Sequence, residues 1–334
     1  MPAFPPFVPQ IPVNIDNLRS VIDADMHAVD EVIRQKLYSE VALIRKISDY
    51  IILSGGKRLR PALVLLSAGA FGYKGSAHRE LAALVEFIHT ATLLHDDVVD
   101  ESQMRRGKET ANALFGNAAS VLVGDFLYSR AFQMMVGVGS MRVMEVLSEA
   151  TNVIAEGEVL QLMNVHNASI DEENYLRVVR YKTAKLFEAA TRLGAIISNA
   201  SKIDEDAMAS YGIHLGTAFQ LIDDVLDYSG DQDEMGKNIG DDLAEGKPTL
   251  PLIYAMRMGS KKHADVVRHA IEQGGLDDMA GVAEAIKATG ALDYARGQAK
   301  YEADMASAAI AHLPNSIYKD CLLQLADFAV ARNF

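Results

Sequence analysis

The sequence predicts an all-α protein built as one large domain. From residue 17 onward, apolar residues recur at the three-and-four spacing of amphipathic helices, as in Leu18, Ile22, Met26 and Val29. Alternating β-branched runs joined by tight Asn-Gly or Asp-Gly turns, the usual signals of strands, are nearly absent. Hydrophobic residues make up 49% of the 334 residues, enough for an extensive core. We therefore expect about ten helices or more in one domain over 17–334.

The first sixteen residues and the overall composition limit the class of protein. Five of the nine prolines lie in the first twelve residues, which predicts an extended arm over 1–16. This arm lacks the regions of a signal peptide, and no stretch reaches the roughly 18 apolar residues of a membrane span. The formal net charge of −13 argues against a nucleic-acid partner, and the single Cys321 excludes a disulfide framework. We expect a cytoplasmic protein without stable membrane insertion.

An apolar helical run ends in the acidic motif DDVVD and continues into a basic segment. Asp96 and Asp100 are four residues apart and share a helix face at about 6 Å, with Asp97 beside them. Such carboxylates repel each other unless a cation lies between them, and oxygen ligands of this kind suit Mg²⁺. Arg105 and Arg106 follow directly, and guanidinium groups match phosphate geometry. The pattern indicates a Mg²⁺–diphosphate site.

The acidic motif occurs a second time as DDVLD within QLIDDVLDYS. Asp223 and Asp227 again share a helix face, and Asp224 lies beside them. A single DDxxD is usually a solvated helix end, but both copies here follow apolar runs, where carboxylates are costly unless they are paired or metal-bound. If the two helices face each other, their carboxylates form a cage for more than one Mg²⁺.

A basic cluster at the start of another helix suggests a separate anion site. Lys57, Arg58 and Arg60 follow two glycines in GGKRLRP, and Pro61 stands near the first turn. Cations at a helix N-terminus oppose the positive end of its dipole, a conflict that a bound anion removes. A capped helix start without a ligand is the simpler alternative.

The other elements are read from capping and glycine signals. In chain order they are a helix ended by Ser54-Gly55-Gly56, a long apolar helix over 118–136 closed by Gly137 and Gly139, a helix over 175–198 opened by an S-x-x-E capping box at Ser169 and Glu172, and the second acidic helix over 206–228. The polar loop 229–249 is expected to form a mobile lid. Residues 250–334 show a helical pattern with little chemistry and are expected to contribute packing.

Several polar residues have alternative explanations. His95-Asp96 resembles the HD pair of metal phosphohydrolases, with His89 as a further ligand, although histidines in apolar helices are more often hydrogen-bonded core residues. A second set can equally be solvated helix or loop residues: Lys182, Thr183, Gln220, Lys237 and Lys247. No catalytic triad or Cys/His pair is visible in the sequence.

Together these segments resemble the trans-prenyl diphosphate synthase family. The matching segments, in the family's order, are GGKRLRP (55–61), HTATLLHDDVVDESQMRRGK (89–108), GDFLYSRAF (124–132), GEVLQL (157–162), KTAKLF (182–187), GTAFQLIDDVLDY (216–228) and GKNIGDDLAEGKPTLP (236–251). The resemblance implies the isoprenoid synthase fold, with a deep central cavity between the two aspartate-rich helices, and a homodimer. It implies transfer of isopentenyl diphosphate units to farnesyl diphosphate, giving an all-trans product for ubiquinone and menaquinone side chains, with hand-over of that product at a membrane.

The resemblance also implies a role for each candidate residue. Those expected to hold isopentenyl diphosphate are Lys57, Arg60, His89 and Arg106. Those expected to hold the allylic diphosphate are Arg105, Lys182 and Lys237. Two or three Mg²⁺ would be bound by Asp96, Asp97, Asp100, Asp223, Asp224 and Asp227. Thr183 and Gln220 would face the allylic carbon, and the loop 229–249 would exclude water.

Product length is expected to be decided by side chains below the first aspartates. Each added five-carbon unit buries apolar surface worth roughly 4 kcal/mol, so growth continues until side chains block it. The residues expected to shape this tunnel are the small Ala91 and Thr92, with Phe132, Met135 and Leu147 as its floor. Within the family the likeness is to bacterial octaprenyl synthases, and hepta-, nona- and decaprenyl products are the alternatives.

Three other functions compete with a prenyl synthase. A head-to-head coupling enzyme or terpene cyclase also pairs acidic motifs, but it would not need GGKRLRP. A non-catalytic subunit of a heteromeric synthase typically loses one acidic motif, and both are intact here. A metal-binding scaffold would not need the phosphate-matching bases.

Overall fold

Long helices account for most of the chain. This computed structural model describes residues 15–53, 56–105, 107–229 and 240–332. Its helices are α1 Ile15–Leu37, α2 Ala42–Leu53, α3 Leu59–Ala70, α4 Ala77–Val99, α5 Ala111–Phe115, α6 Asn117–Val138, α7 Met141–Asn164, α8 Glu172–Val178, α9 Lys185–Ile197, α10 Lys202–Ser229, α11 Asp241–Ala244, α12 Leu250–Met258, α13 Lys261–Gln273, α14 Met279–Thr289, α15 Ala291–Ala309 and α16 Ile317–Ala331. The prediction of an all-α fold is confirmed.

The two acidic helices, α4 and α10, hold central positions. α4 packs against α1, α3, α6 and α9, while α10 packs against α9, α15 and α16. The main core contains the fully buried Leu84 and Ile88 of α4, Leu127 of α6 and Phe187 of α9. A helix that is apolar on nearly every side must be surrounded in this way. Both aspartate motifs therefore stand at the ends of helices that the core holds in place.

Two short strands follow α4 and were not predicted. Strand β1, Met104–Arg105, pairs antiparallel with β2, Lys108–Glu109. Gly107 in the turn has a φ of +73°, a conformation that glycine adopts without steric cost. The hairpin turns the basic segment back toward the end of α4.

Several predicted boundaries were wrong for local physical reasons. α6 continues through Gly137 and ends at Gly139, whose φ of 70° places it in the left-handed conformation that terminates helices. The S-x-x-E capping box is not formed, because the Asp171 side chain accepts the hydrogen bond from Asn174 N and caps α8. The helix predicted over 175–198 is interrupted by a π-helical turn, Val179–Ala184, between α8 and α9.

The remaining segments also refine the predictions. α1 begins at Ile15, two residues before the predicted domain start, and residues 1–14 of the predicted arm lie outside the described residues. α10 is longer than predicted, and α11 forms within the predicted lid. Across the described ranges, the helices lack the combination of length and apolarity that crossing a bilayer requires.

Candidate active site

The first acidic motif lies where α4 ends. Asp97 is buried, and Arg105 of the hairpin donates to its Oδ1 from Nη2 at 2.6 Å. Asn112 of α5 donates to the Asp97 backbone oxygen at 3.0 Å and so fixes the end of the helix. Asp96 and Asp100, the two carboxylates predicted to share a face, are only partly buried. They remain accessible on the side away from Asp97.

Each of these accessible carboxylates meets a lysine from a distant part of the chain. Lys182 Nζ lies 3.5 Å from Asp96 Oδ2, and Lys247 Nζ lies 2.9 Å from Asp100 Oδ2. Burial lowers the pKa of Lys247, but the nearby carboxylates, with that of Asp242 the largest contributor, outweigh it and raise the pKa above its usual range. Both lysines therefore carry a positive charge beside the first aspartates.

The second acidic motif is held in the last turns of α10. Asp224 is buried and accepts hydrogen bonds from Tyr175 OH and, at 2.8 Å, from Gln220 Nε2. Burial, with the nearby Asp242 carboxylate, raises the pKa of Asp224 to about 8. Asp227 is also buried, whereas Asp223 is partly exposed. Burial and a neighbouring carboxylate thus both disfavour the ionised form of Asp224.

The π-helical turn connects the two acidic motifs. Its consecutive residues Lys182 and Thr183 point to different helices: Lys182 approaches Asp96, and Thr183 Oγ1 donates to Gln220 Oε1 at 3.0 Å. π-helical turns occur frequently at functional sites, because the extra residue redirects side chains. The predicted facing of the two motifs is supported by this shared neighbour.

The described end of the predicted lid forms a second connection. Gly240 N donates to the Asp227 backbone oxygen at 2.9 Å, and Asp242 N donates to Asp227 Oδ2 at 3.3 Å. Seven residues beyond Gly240, Lys247 reaches Asp100 of the first motif. This segment therefore spans from one motif to the other. Lys237 lies outside the described residues.

The basic cluster GGKRLRP stands at the start of α3. Arg60 Nη1 lies 3.0 Å from His89 Nε2 of α4, which brings together two of the predicted isopentenyl diphosphate residues. Lys57 lies over the Phe328 ring at 5.8 Å. Arg58 has a left-handed φ of 48° and forms an ion pair with Asp30. Arg106, the remaining predicted member, lies outside the described residues.

Two guanidinium groups and two rings form a continuous series of contacts from this cluster to α10. The Arg60 guanidinium lies 4.6 Å from the centre of the Phe187 ring, and the ring centres of Phe187 and Phe219 lie 5.8 Å apart. The Arg332 guanidinium in turn lies 3.6 Å from the centre of the Phe219 ring. Cations over aromatic faces are attracted by the ring quadrupole. We refer to these four side chains as the Arg–Phe column.

Arg332 contacts the second acidic motif, and the sequence did not reveal this contact. Its side chain is only 3% exposed, and Nη1 lies 2.6 Å from Asp223 Oδ1. The segment 250–334, which is expected to contribute packing, thus also supplies an ion-pair partner to this motif. Glu158, whose Oε2 lies 2.6 Å from Lys182 Nζ, was also given no role, although it lies within the matching segment GEVLQL.

The phosphohydrolase alternative finds no support in the geometry. His95 Nε2 lies 3.2 Å from the Val121 backbone oxygen and 3.3 Å from Asp125 Oδ1, both on α6. His89 Nε2 lies 3.0 Å from Arg60 Nη1. The two histidines therefore contact different helices.

The predicted chain-length residues fall into two groups. Ala91, Met135 and Leu147 are fully buried members of the main core. Thr92 donates from Oγ1 to the His89 backbone oxygen at 2.8 Å. Phe132 is 38% exposed and packs on Tyr128, so the structure does not place it with the three buried residues.

The acidic residues of both motifs are suited to binding divalent cations. Burial raises the pKa of Asp97 despite Arg105, and it raises that of Glu158 to about 7 despite Lys182. Burial thus disfavours the ionised form of these carboxyl groups, and a bound cation would favour it. Among the described residues, no three His, Cys, Asp or Glu side chains converge on one ion position. A pair of carboxylates with the other positions left to water and phosphate oxygens suits Mg²⁺.

Known proteins resemble this chain along nearly its whole length. The family model for polyprenyl synthetase matches residues 41–289. The chain is 55% identical over 322 residues to the octaprenyl diphosphate synthase of Escherichia coli (strain K12), which covers 96% of this chain and 100% of that enzyme.

Solved structures share the fold. The polyprenyl synthase of Caulobacter crescentus CB15, complexed with calcium and isoprenyl diphosphate, superposes with a TM-score of 0.93 at 44% identity, covering 98% of this chain and 100% of the other. A decaprenyl diphosphate synthase from Rhodobacter capsulatus gives 0.90 at 46% identity, covering 96% and 99%. The resemblance predicted from the motifs is confirmed, and the chain belongs to the polyprenyl synthetase family.

Proposed function

We propose that this chain is a long-chain trans-prenyltransferase that adds isopentenyl diphosphate units to farnesyl diphosphate and releases octaprenyl diphosphate. The observation that carries the proposal is the joining of two acidic motifs by the π-helical turn and by the segment 240–247. The octaprenyl product is supported by the 55% identity to the Escherichia coli enzyme. The product would serve quinone side chains, with synthesis in the cytoplasm and hand-over at a membrane.

The aspartates would hold two or three Mg²⁺ in this proposal. Asp96 and Asp100, with Asp97 behind them, form one ligand set, and Asp223, with Asp224 and Asp227, forms the other. When bound, Mg²⁺ would stabilise the charge that develops on the departing diphosphate. Arg105 orients Asp97, and Tyr175 and Gln220 orient Asp224, so that the carboxylates are preorganised.

The basic residues would divide between the two diphosphates. Lys182 and Lys247 lie beside the first aspartates and would grip the allylic diphosphate, with Arg105 and Lys237. The residues that would hold isopentenyl diphosphate are Lys57, Arg60, His89 and Arg106. Fixed cations stabilise a leaving oxyanion without proton transfer, because they are aimed at the charge before it develops.

Thr183 and Gln220 would face the carbon that becomes cationic when the allylic C–O bond breaks. The Thr183 hydroxyl donates to Gln220 Oε1, and Gln220 Nε2 donates to Asp224. This chain of hydrogen bonds fixes the orientation of the Thr183 and Gln220 side chains and connects them to Asp224 of the second motif. The double bond of isopentenyl diphosphate then attacks the cation, and a proton is lost to the departing diphosphate.

The working form would be a homodimer. Leu122 of α6 is 66% exposed and Val136 is 64% exposed, and both lie on the same side of that helix. Large exposed apolar side chains grouped on one helix face favour contact with another protein surface. A second copy of this chain, packed about a two-fold axis, would cover both faces at once.

Incubation of the purified chain with Mg²⁺, farnesyl diphosphate and isopentenyl diphosphate, followed by sizing of the products, tests the proposed function. We expect octaprenyl as the main product, strict dependence on isopentenyl diphosphate and loss of activity with a chelator. A main product of 35, 45 or 50 carbons would correct the length alone. Turnover of the allylic diphosphate without isopentenyl diphosphate would favour a coupling enzyme or cyclase, and absence of turnover would favour a non-catalytic subunit.

A further inference from the structure

Two adjacent residues of α7, Gly157 and Glu158, converge on Lys182. Glu158 approaches the end of the lysine side chain, and Gly157 approaches its backbone. Neither residue belongs to the acidic motifs or to the basic cluster. Their convergence on one member of the predicted diphosphate site indicates a role in placing that member.

The Lys182 ammonium is shared unequally between two carboxylates. Nζ lies 2.6 Å from Glu158 Oε2 and 3.5 Å from Asp96 Oδ2. The closer contact is a charge-assisted hydrogen bond, and the longer one exceeds the usual length of such a bond. The Lys182 side chain is only 18% exposed, so few other partners compete for it. Glu158 therefore draws the ammonium away from Asp96.

The backbone contact makes this arrangement possible. A Cβ at Gly157 would lie 2.6 Å from Lys182 N, closer than real Cβ contacts. α7 can therefore approach the π-helical turn only because residue 157 lacks a side chain. A Cβ at Gly216 of α10 would likewise lie 2.6 Å from Ala184 Cα. The turn therefore packs closely against both α7 and α10.

We propose that Glu158 is a positioning residue that holds the Lys182 ammonium off Asp96, so that Asp96 remains available to Mg²⁺ and the lysine remains available to the allylic diphosphate. This inference rests on the proposed function. Without Glu158, the nearest carboxylate to the ammonium is Asp96, and the two would form a close ion pair. In that pair, Asp96 would no longer be available as a metal ligand, and Lys182 would no longer be available as a donor to the diphosphate.

The proposal and simple charge repulsion predict opposite changes in substrate affinity when Glu158 is replaced. A carboxylate near a diphosphate repels it, so removing Glu158 would strengthen substrate binding if charge alone mattered. If Glu158 acts by placing Lys182, removing it weakens both the allylic substrate and Mg²⁺. Isopentenyl diphosphate, expected at the basic cluster of α3, is then unaffected. The direction of the change separates the two explanations.

The test compares Glu158→Gln, Glu158→Asp and wild type at pH 8. For Glu158→Gln we expect the KM for farnesyl diphosphate and the half-saturating Mg²⁺ concentration each to rise about tenfold, as for loss of one charge-assisted hydrogen bond. The KM for isopentenyl diphosphate should change less than about twofold. Glu158→Asp retains the carboxylate and should recover part of the loss. Calorimetric binding of farnesyl thiolodiphosphate, an unreactive analogue, with Mg²⁺ should weaken in parallel.

Matched controls keep the test decisive. Glu156→Gln changes an exposed glutamate on the same helix, whose Oε1 accepts a hydrogen bond from Asn152, and should leave every constant unchanged. Gly157→Ala should reproduce the Glu158→Gln pattern by pushing the turn away, whereas Gly297→Ala, at an open helical position, should not. These glycine variants keep Glu158 itself intact.

Unchanged or tighter binding of farnesyl diphosphate by Glu158→Gln would overturn the inference. A uniform fall in all constants, together with a lower melting temperature, would assign Glu158 a structural role and also overturn it. If wild type itself does not elongate farnesyl diphosphate, the proposed function fails. An active wild type with an unaffected Glu158→Gln variant removes only the positioning role.

Discussion

Arg332 lies buried at the end of α16, with its guanidinium against Asp223 and over the Phe219 ring. Arg332→Ala would leave Asp223 without its partner and remove the cation from the ring face. We expect the free energy of unfolding to fall by about 2 kcal/mol, because a buried ion-pair partner and a cation–π contact are both lost. We also expect the half-saturating Mg²⁺ concentration to fall, because Asp223 would no longer form an ion pair that competes with Mg²⁺. Urea denaturation and a Mg²⁺ titration of activity measure the two effects.

Two further variants calibrate this prediction. Arg268→Ala removes an exposed arginine of α13 and should change neither quantity. Arg332→Lys retains the charge but loses the planar fork, so its effect should be intermediate. Equal effects of Arg268→Ala and Arg332→Ala would contradict the assignment.

Glu205 is the centre of a buried charge network between α7, α9 and α10. Burial alone would raise its pKa, but hydrogen bonds from Arg142 and Arg192 outweigh burial and hold the pKa below its ordinary value. A carboxylate with a lowered folded-state pKa stabilises the protein above its unfolded-state pKa, and that contribution is lost as pH falls through the folded-state value. The network should therefore weaken in acid.

Glu205→Gln should destabilise the protein by about 3 kcal/mol at pH 7, because two arginines lose their buried anion. The difference from wild type should shrink steadily below about pH 4.5, where the unfolded glutamate takes up its proton. Urea denaturation of both proteins at several pH values measures this. Glu145→Gln, at an exposed site paired with the same Arg142, should differ little from wild type at any pH. A difference between Glu205→Gln and wild type that is independent of pH would contradict the charge network.

At the scale of helices, the sequence predicted the features that depend on a single segment. It did not predict the features that depend on contacts with neighbouring helices. The apolar periodicity of α4 and α10 and the DDxxD spacing are properties of single segments, so they were predicted correctly. The π-helical turn could not be read from residues 179–184, because Gly157 and Gly216, which confine it, lie on other helices. Asp171 replaced the predicted capping box because two overlapping caps compete for one helix start.

Ala91 lies fully buried on α4, just over one turn before Asp96, in the core that also holds Met135 and Leu147. Ala91→Tyr would fill the path of a growing chain below the first aspartates. We expect the main product to shorten to about fifteen or twenty carbons, since each five-carbon step then lacks the apolar space that favours it. Thin-layer chromatography of the dephosphorylated products measures the change.

The comparison variant is Ala91→Val, which adds far less bulk and should retain a long product. Overpacking by the tyrosine costs about 1–3 kcal/mol, so product length should be read as a distribution, independent of total activity. An unchanged distribution from Ala91→Tyr would rule out this placement of the tunnel.

At the scale of the whole molecule, the sequence identified most of the polar residues that lie near the two acidic motifs, but it did not predict which of them contact one another. Lys182, Thr183 and Gln220 were candidates from the resemblance, and the structure brings them into contact with each other or with the aspartates. No sequence pattern marks Arg332, and the segment GEVLQL contains Glu158 without revealing its partner. The contacts of both residues depend on the tertiary fold. Lys247 was visible as a loop charge, but its contact with Asp100 required the path of the segment 240–247.

The proposed homodimer gives a prediction at this scale. Leu122→Glu would place a charge at an exposed apolar position of α6, and a buried unpaired charge disfavours association. We expect wild type to sediment as a dimer and Leu122→Glu as a monomer at micromolar concentration. Met258→Glu, at an equally exposed apolar position on α12, should leave the dimer intact. A monomeric wild type would refute the proposal.

The Arg–Phe column has a consequence for how the two substrates influence each other. Arg60 stands at one end, near the pocket expected for the nucleophile, and Arg332 stands at the other, on a carboxylate expected to serve the electrophile. Because the two ring centres lie only 5.8 Å apart in a packed core, movement of either guanidinium would disturb the ring beside it and, through that ring, the next one. Binding of isopentenyl diphosphate near Arg60 would thus shift the residues around Asp223. Ionisation of the allylic substrate would then depend on whether isopentenyl diphosphate is bound.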